Sequence, residues 1–281
     1  MQTDMSKLNA DQPIGVFDSG IGGLTVVRSL AELLPSEEIV YLGDTARLPY
    51  GTKSAETIRR FAHEDTEFLI ERQVKMVIVA CHSATSAALP FLKKDYKLPI
   101  IGVIEPGARA AVKLTANRRI GVIGTPATIS AGEYERAILA VDPNVRVIAK
   151  STPLFVPLVE EGWVDRSVTH QVIAEYLTSF KQDKIDTLLL GCTHYPLLAH
   201  ALDRFFEYKV KLVDSGDETA RATREVLKNM KLLRPSSQPS SHKGGSRFYL
   251  TDLSPNFRTI GERFLGEPMG DVARVSISHE F

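Results

Sequence analysis

The sequence predicts an α/β protein built as two pseudo-symmetric, doubly wound parallel-sheet domains. Three observations carry that prediction. Short apolar runs alternate with stretches whose apolar residues recur at helical spacing, the signature of βαβ units. The pattern of the first hundred or so residues begins again near residue 105. Each half has a single cysteine, and both sit at the end of the same apolar run of the pattern.

The elements follow in order. Ile14-Gly15-Val16-Phe17 reads as a buried strand, and residues 18–23 (DSGIGG) as a turn. Leu24, Val27, Leu30, Ala31 and Leu34 then mark one face of a helix that stops at Pro35. Residues 39–42 read as a second strand, followed by a loop to Thr52 and a long helix marked by Ile58, Phe61, Ala62 and Leu69. Residues 77–80 form a third strand that runs into Cys81; after another helix, residues 100–104 form a fourth. The restart is specific. Residues 14–20 match 120–126 at an offset of 106, residues 77–83 match 188–194 at 111, and residues 101–107 match 210–216 at 109. Buried parallel strands resemble one another as runs of Val, Ile and Leu. That does not explain a matched cysteine in each half.

The chain end reads differently. Residues 232–246 are rich in Ser, Pro and Gly and are expected to be a flexible surface loop. Residues 247–251 read as a strand, and Ser254-Pro255 as a cap before a helix with Phe257, Ile260 and Phe264 on one face. The expected organisation is a disordered extension over 1–12, a first domain from 13–104 plus 215–281, and a second over 105–214.

Composition narrows the function classes. The 34 basic residues balance 34 acidic ones in 281, so no net charge draws the chain to nucleic acid or an anionic membrane. No apolar run approaches the ~18 residues of a membrane span. The polar start lacks an apolar stretch after a basic one, so no secretory signal is expected. Two cysteines exclude a disulfide framework, and a cytoplasmic protein is expected.

In open parallel sheets, ligands collect outside the carboxyl ends of the strands. Cys81 and Cys192 both lie there, each entering a helix start. Ser83 and Thr85 are expected to cap one, and Pro196 to open the other. Such helix starts favour anions and lower a thiol pKa from ~8.5 towards neutrality. Four readings of the pair arise. A disulfide suits an oxidising compartment. A zinc site would use Cys81-His82 and Cys192-x-His194, but zinc pairs usually leave two to four residues between ligands. Inert buried thiols are the third. The fourth is acid–base chemistry from two sides, in which one thiolate removes a proton and the opposite thiol donates one, inverting a stereocentre.

Six segments bear on that choice: 14–25 (IGVFDSGIGGLT), 41–51 (YLGDTARLPYG), 102–107 (GVIEPG), 120–128 (IGVIGTPAT), 190–198 (LGCTHYPLL) and 213–216 (VDSG). In these the sequence resembles the cofactor-independent aspartate/glutamate racemase family, from about residue 13 to its end. The resemblance implies two α/β domains with the active site between them. It also implies interconversion of L- and D-glutamate, supply of D-glutamate for peptidoglycan, and a homodimer. Aspartate racemisation and non-catalytic binding of an amino acid on the same fold are the alternatives. By resemblance Cys81 and Cys192 are the two bases, Asp18 is the partner of Cys81, His194 is the partner of Cys192, and Glu160 orients His194. Asp18, Ser19, Pro49, Tyr50, Gly51, His82, Ser83, Thr125, Thr193 and His194 are the expected substrate contacts, with Tyr50-Gly51 acting through backbone amides. No metal or cofactor is expected, since no lysine stands beside a phosphate cradle.

One position departs from the family pattern. Where its members generally read Ala-Cys-Asn-Thr, this chain has Ala80-Cys81-His82-Ser83. Serine keeps the hydroxyl; histidine is bulkier and titratable. A protonated His82 facing the cleft would favour thiolate at Cys81, and His82→Asn is then expected to change the acid limb of the pH–rate profile.

Overall fold

The computed structural model describes residues 8–235, 246–255 and 257–277. Among the described residues, ten strands form two wholly parallel sheets. The first contains β1 (Ile14–Asp18), β2 (Ile39–Gly43), β3 (Met76–Val79) and β4 (Ile100–Gly102). The second contains β5 (Arg119–Gly124), β6 (Arg146–Ser151), β7 (Thr187–Gly191) and β8 (Lys211–Asp214). From the chain end, β9 (Ser246–Leu250) pairs with β2, and β10 (Val272–Arg274) pairs with β9.

The strand order is β10-β9-β2-β1-β3-β4 in one sheet and β6-β5-β7-β8 in the other. Each sheet therefore contains the same unit, in which the second, first, third and fourth strands of a half lie side by side. The matched segments of sequence fall on β1 and β5, on β3 and β7, and on β4 and β8. The repeat is topological as well as textual. Each of β1, β2, β3 and β7 is buried along its whole length, as strands covered by helices on both faces must be.

Local chemistry explains the boundaries. Helix α1 (Leu24–Leu33) follows the glycine-rich turn. Helix α2 (Ala55–Glu71) is capped by Ser54, whose hydroxyl accepts from Thr57 N at 3.2 Å. Helix α3 (His82–Asp95) follows β3 directly. Its cap is not the expected Ser83 or Thr85. Cys81 Sγ itself accepts from Ala84 N at 3.5 Å, Thr85 donates back to Val79 O, and Ser83 turns to the second half. The fourth strand is shorter than the expected 100–104, because helix α4 (Ile104–Leu114) already begins there. In the second half Thr125 caps the helix Pro126–Ala131, with Pro126 at its start.

Two expectations meet partial corrections. Of the extension, residues 1–7 lie outside the described residues, but residues 8–12 are held in place. Ala10 O accepts from the buried Lys75 Nζ at 2.8 Å, and Asp11 O from Arg234. Of the expected surface loop, residues 236–245 lie outside the described residues, but its start is anchored. Leu232 is buried with its carbonyl on Lys75 Nζ at 2.9 Å, and Arg234 N donates to Glu37 Oε1 at 2.8 Å. No helix among the described residues is long and apolar enough to cross a membrane.

Candidate active site

The carboxyl ends of both sheets open onto one cavity of about 170 Å³. At the ~10–15 Å³ needed to admit one water, this is room for roughly a dozen water-sized groups, the scale of an amino acid. Its lining includes every residue expected to act on or contact the substrate: Cys81, Cys192, Asp18, His194 and Glu160, with Ser19, Pro49, Tyr50, Gly51, His82, Ser83, Thr125 and Thr193. A wider groove of about 490 Å³, bordered by Lys93, Glu105, Arg109 and Arg221, contains none of them.

Asp18 and the two cysteines arrive from strand ends, and Glu160 from the end of the helix Phe155–Glu160. Asp18 closes β1, and its Oδ2 accepts from Gly20 N at 3.0 Å; Oδ1 has no partner among the described residues. Cys81 follows β3, with Sγ 3.6 Å from Ser19 Oγ. Cys192 follows β7, with Sγ 3.8 Å from His194 Nδ1. The other ring nitrogen of His194 lies 3.0 Å from Glu160 Oε1, completing a Cys–His–Glu chain. Both cysteines are buried and unpaired. Ser83 bridges the halves through a 3.0 Å hydrogen bond with Thr125. Tyr50 borders the cavity by its position in the loop, while its phenol is committed to Asp44 and, at 2.9 Å, to Asp65. A backbone role at Tyr50-Gly51 is what that arrangement leaves.

With the geometry in place, comparison with known proteins is decisive. The family model described as Asp/Glu/hydantoin racemase matches residues 14–223. The chain belongs to this racemase family. It is 46% identical over 267 residues to a glutamate racemase of Geobacter metallireducens, covering 95% of this chain and 97% of that one. Among solved structures it resembles the glutamate racemase of Francisella tularensis in complex with D-glutamate, with 40% identity, a TM-score of 0.88 and coverage of 95% and 98%. A Bacillus anthracis glutamate racemase matches with 38% identity, a TM-score of 0.90 and the same coverage. An aspartate racemase of Picrophilus torridus, at 18% identity and a TM-score of 0.54, shares the fold.

The two sides of this cavity differ in charge. Burial pushes the Cys81 thiol up to about 12, and the charge of Asp18 adds to the effect; the Ala84 amide and Ser19 do not offset them. The expected lowering by a helix start is overturned here, because the thiol is desolvated beside a carboxylate. Burial also raises Asp18 above the usual carboxylate range, against the charge of His194 and the amides of Gly23, Gly20 and Ser19. On the opposite side, burial alone would lower His194. Hydrogen bonds to Cys192 and Glu160, with their charges, outweigh it and push the imidazole up to about 10.

His82 corrects the sequence reading. It lines the cavity, but burial, helped by the charge of His194, pushes it down to about 3, so it is neutral at working pH. It cannot supply positive charge to Cys81. The imidazole lies beside Tyr134, ring centroids 5.9 Å apart, and neither ring nitrogen has a partner among the described residues. His82→Asn is therefore expected to leave the acid limb of the pH–rate profile unchanged between about pH 5 and 8, where neither residue titrates. Matched pH–rate profiles of the two proteins check this.

Sequence reasoning missed an apolar wall. Leu48, Pro153, Val156 and Pro157 also line the cavity. The signal was present, since each follows or precedes a strand-end turn, but nothing in residue type separates such a wall from ordinary core.

Proposed function

We propose that this chain is a glutamate racemase that interconverts L- and D-glutamate by proton transfer between two cysteines at Cα. The observation that carries the reading is the pair of buried thiols lining one amino-acid-sized cavity, Cys192 3.8 Å from His194 and Cys81 within the field of Asp18. A proton held on His194 leaves the Cys192 sulfur free to act as base. Cys81, kept protonated by burial and by Asp18, is the acid. In one direction Cys192 takes the Cα proton and Cys81 returns one to the opposite face. In the other, Cys81 must pass its proton on before it can act, and the carboxyl of Asp18, itself raised, is placed to accept it.

The intermediate carries charge on Cα and the α-carboxylate. Amides at the starts of α1 and α3 and the hydroxyls of Ser19, Ser83, Thr125 and Thr193 are neutral donors suited to stabilise it. The relatives named glutamate racemase support glutamate over aspartate as substrate. Supply of D-glutamate for peptidoglycan, a cytoplasmic homodimer, and a division into 13–104 plus 215–281 against 105–214 complete the reading.

Circular dichroism at constant concentration tests it. L-glutamate and D-glutamate should each decay to zero signal, while L-aspartate holds its own, and solvent deuterium should enter Cα. Exhaustive chelation should leave the rate unchanged, because Cys81-His82 lacks zinc-ligand spacing. A stable signal with bound glutamate would mark a binding protein instead.

A further inference from the structure

We propose that Thr25 is a positioning residue for the Cys192 base: its hydroxyl reaches across from the first half and fixes the turn that carries Cys192 and His194. The inference rests on the two-cysteine reading above. Thr25 stands in the first turn of α1 and is almost completely buried. The single hydroxyl proton of its Oγ1 is shared between Gly22 O at 3.0 Å, within its own turn, and Thr193 O at 3.1 Å, across the halves.

The Thr193 carbonyl needs an outside donor, and the sequence shows why. After β7 the chain forms a tight turn in which Tyr195 N donates to Cys192 O at 3.1 Å and Leu197 N to His194 O at 3.2 Å. The rung between them would run from residue 196 to Thr193 O. Residue 196 is proline and has no N–H to donate. Buried carbonyls are rarely left unpaired, and the Thr25 hydroxyl takes the missing place. Contact between the two elements is tight. A Cβ at Gly22 would lie 2.2 Å from Thr193 Oγ1 and 2.5 Å from His194 Nδ1, so only glycine lets the start of α1 come this close.

That same start holds the other side of the site. The amide of Gly20 donates to the Asp18 carboxylate at 3.0 Å, and a Cβ at Gly23 would lie 2.5 Å from Asp18 Cβ. One helix start thus sets the position of Asp18 directly and of Cys192 through Thr25. A displacement of the Cys192 turn by a fraction of an ångström would misalign one base and leave the other in place.

The test measures each base alone, using elimination of chloride from the two enantiomers of β-chloroglutamate, which needs a single base. In a Cys81→Ser enzyme the elimination comes from Cys192, and in a Cys192→Ser enzyme from Cys81. Adding Thr25→Val, which removes the hydroxyl at nearly constant volume, is expected to slow the Cys192 reaction about tenfold or more through kcat, and to leave the Cys81 reaction within about threefold. Thr25→Ser restores the Cys192 rate, because it keeps the hydroxyl. Equal losses on both sides, or an unchanged Cys192 rate, overturn the positioning role. If neither parent eliminates from either enantiomer, the two-base reading fails first, and the proposal with it.

Discussion

Cys81→Ser and Cys192→Ser each lower racemisation by about 10³-fold or more, while each enzyme keeps one working base. A serine hydroxyl occupies nearly the same space as a thiol but holds its proton far more tightly, so the substitution removes acid–base function with little change in packing. The loss is complete for racemisation because inversion needs both a base and an acid on opposite faces. Elimination from a β-chlorinated glutamate separates the two functions. The base takes the Cα proton, chloride leaves from Cβ, and the enamine goes on to a keto acid and ammonia without reprotonation by the second cysteine. Cys81→Ser therefore acts on one enantiomer and Cys192→Ser on the other. Racemisation near the unmodified rate in both variants would exclude the two-base mechanism.

The arrangement behind this result was legible in the sequence to an uneven degree. The strands β1, β3, β5 and β7 could be read because buried parallel strands are short unbroken apolar runs, and the repeat then paired their ends. Convergence on one cavity followed from the rule that ligands sit at strand carboxyl ends. Electrostatics could not be read this way. A helix start after Cys81 suggested an acidic thiol, but the sequence does not show that the same thiol is desolvated against Asp18. The histidine after Cys81 looked like a source of positive charge until its burial beside Tyr134 was seen. Thr25 was invisible for a related reason. Its partner, the Thr193 carbonyl, lies 168 positions away, and the missing proline N–H that creates the need is a feature of a different half.

Glu160→Gln gives the second large effect, and its sign follows from His194. The imidazole is raised from its ordinary 6.5 to about 10, with the hydrogen bond and charge of Glu160 among the causes. A raised histidine keeps its proton below that value and loses it as pH rises through it. In the unmodified enzyme His194 is therefore charged across the neutral range, the state in which the proposed mechanism uses it beside Cys192. Glutamine preserves an oxygen acceptor near His194 Nε2, where Glu160 Oε1 lies at 3.0 Å, but removes the negative charge. The expected result is a fall of about 10²-fold in kcat for the direction in which Cys192 removes the proton. The basic limb of that direction moves to lower pH, and the limb governed by Cys81 moves little. Glu160 is partly exposed, so solvent screens some of its charge, and Glu160→Asp should recover part of the loss where Glu160→Gln does not. Direction-resolved pH–rate profiles of the three proteins read this out. Identical basic limbs in both directions would show that Glu160 holds the ring in place without setting its charge.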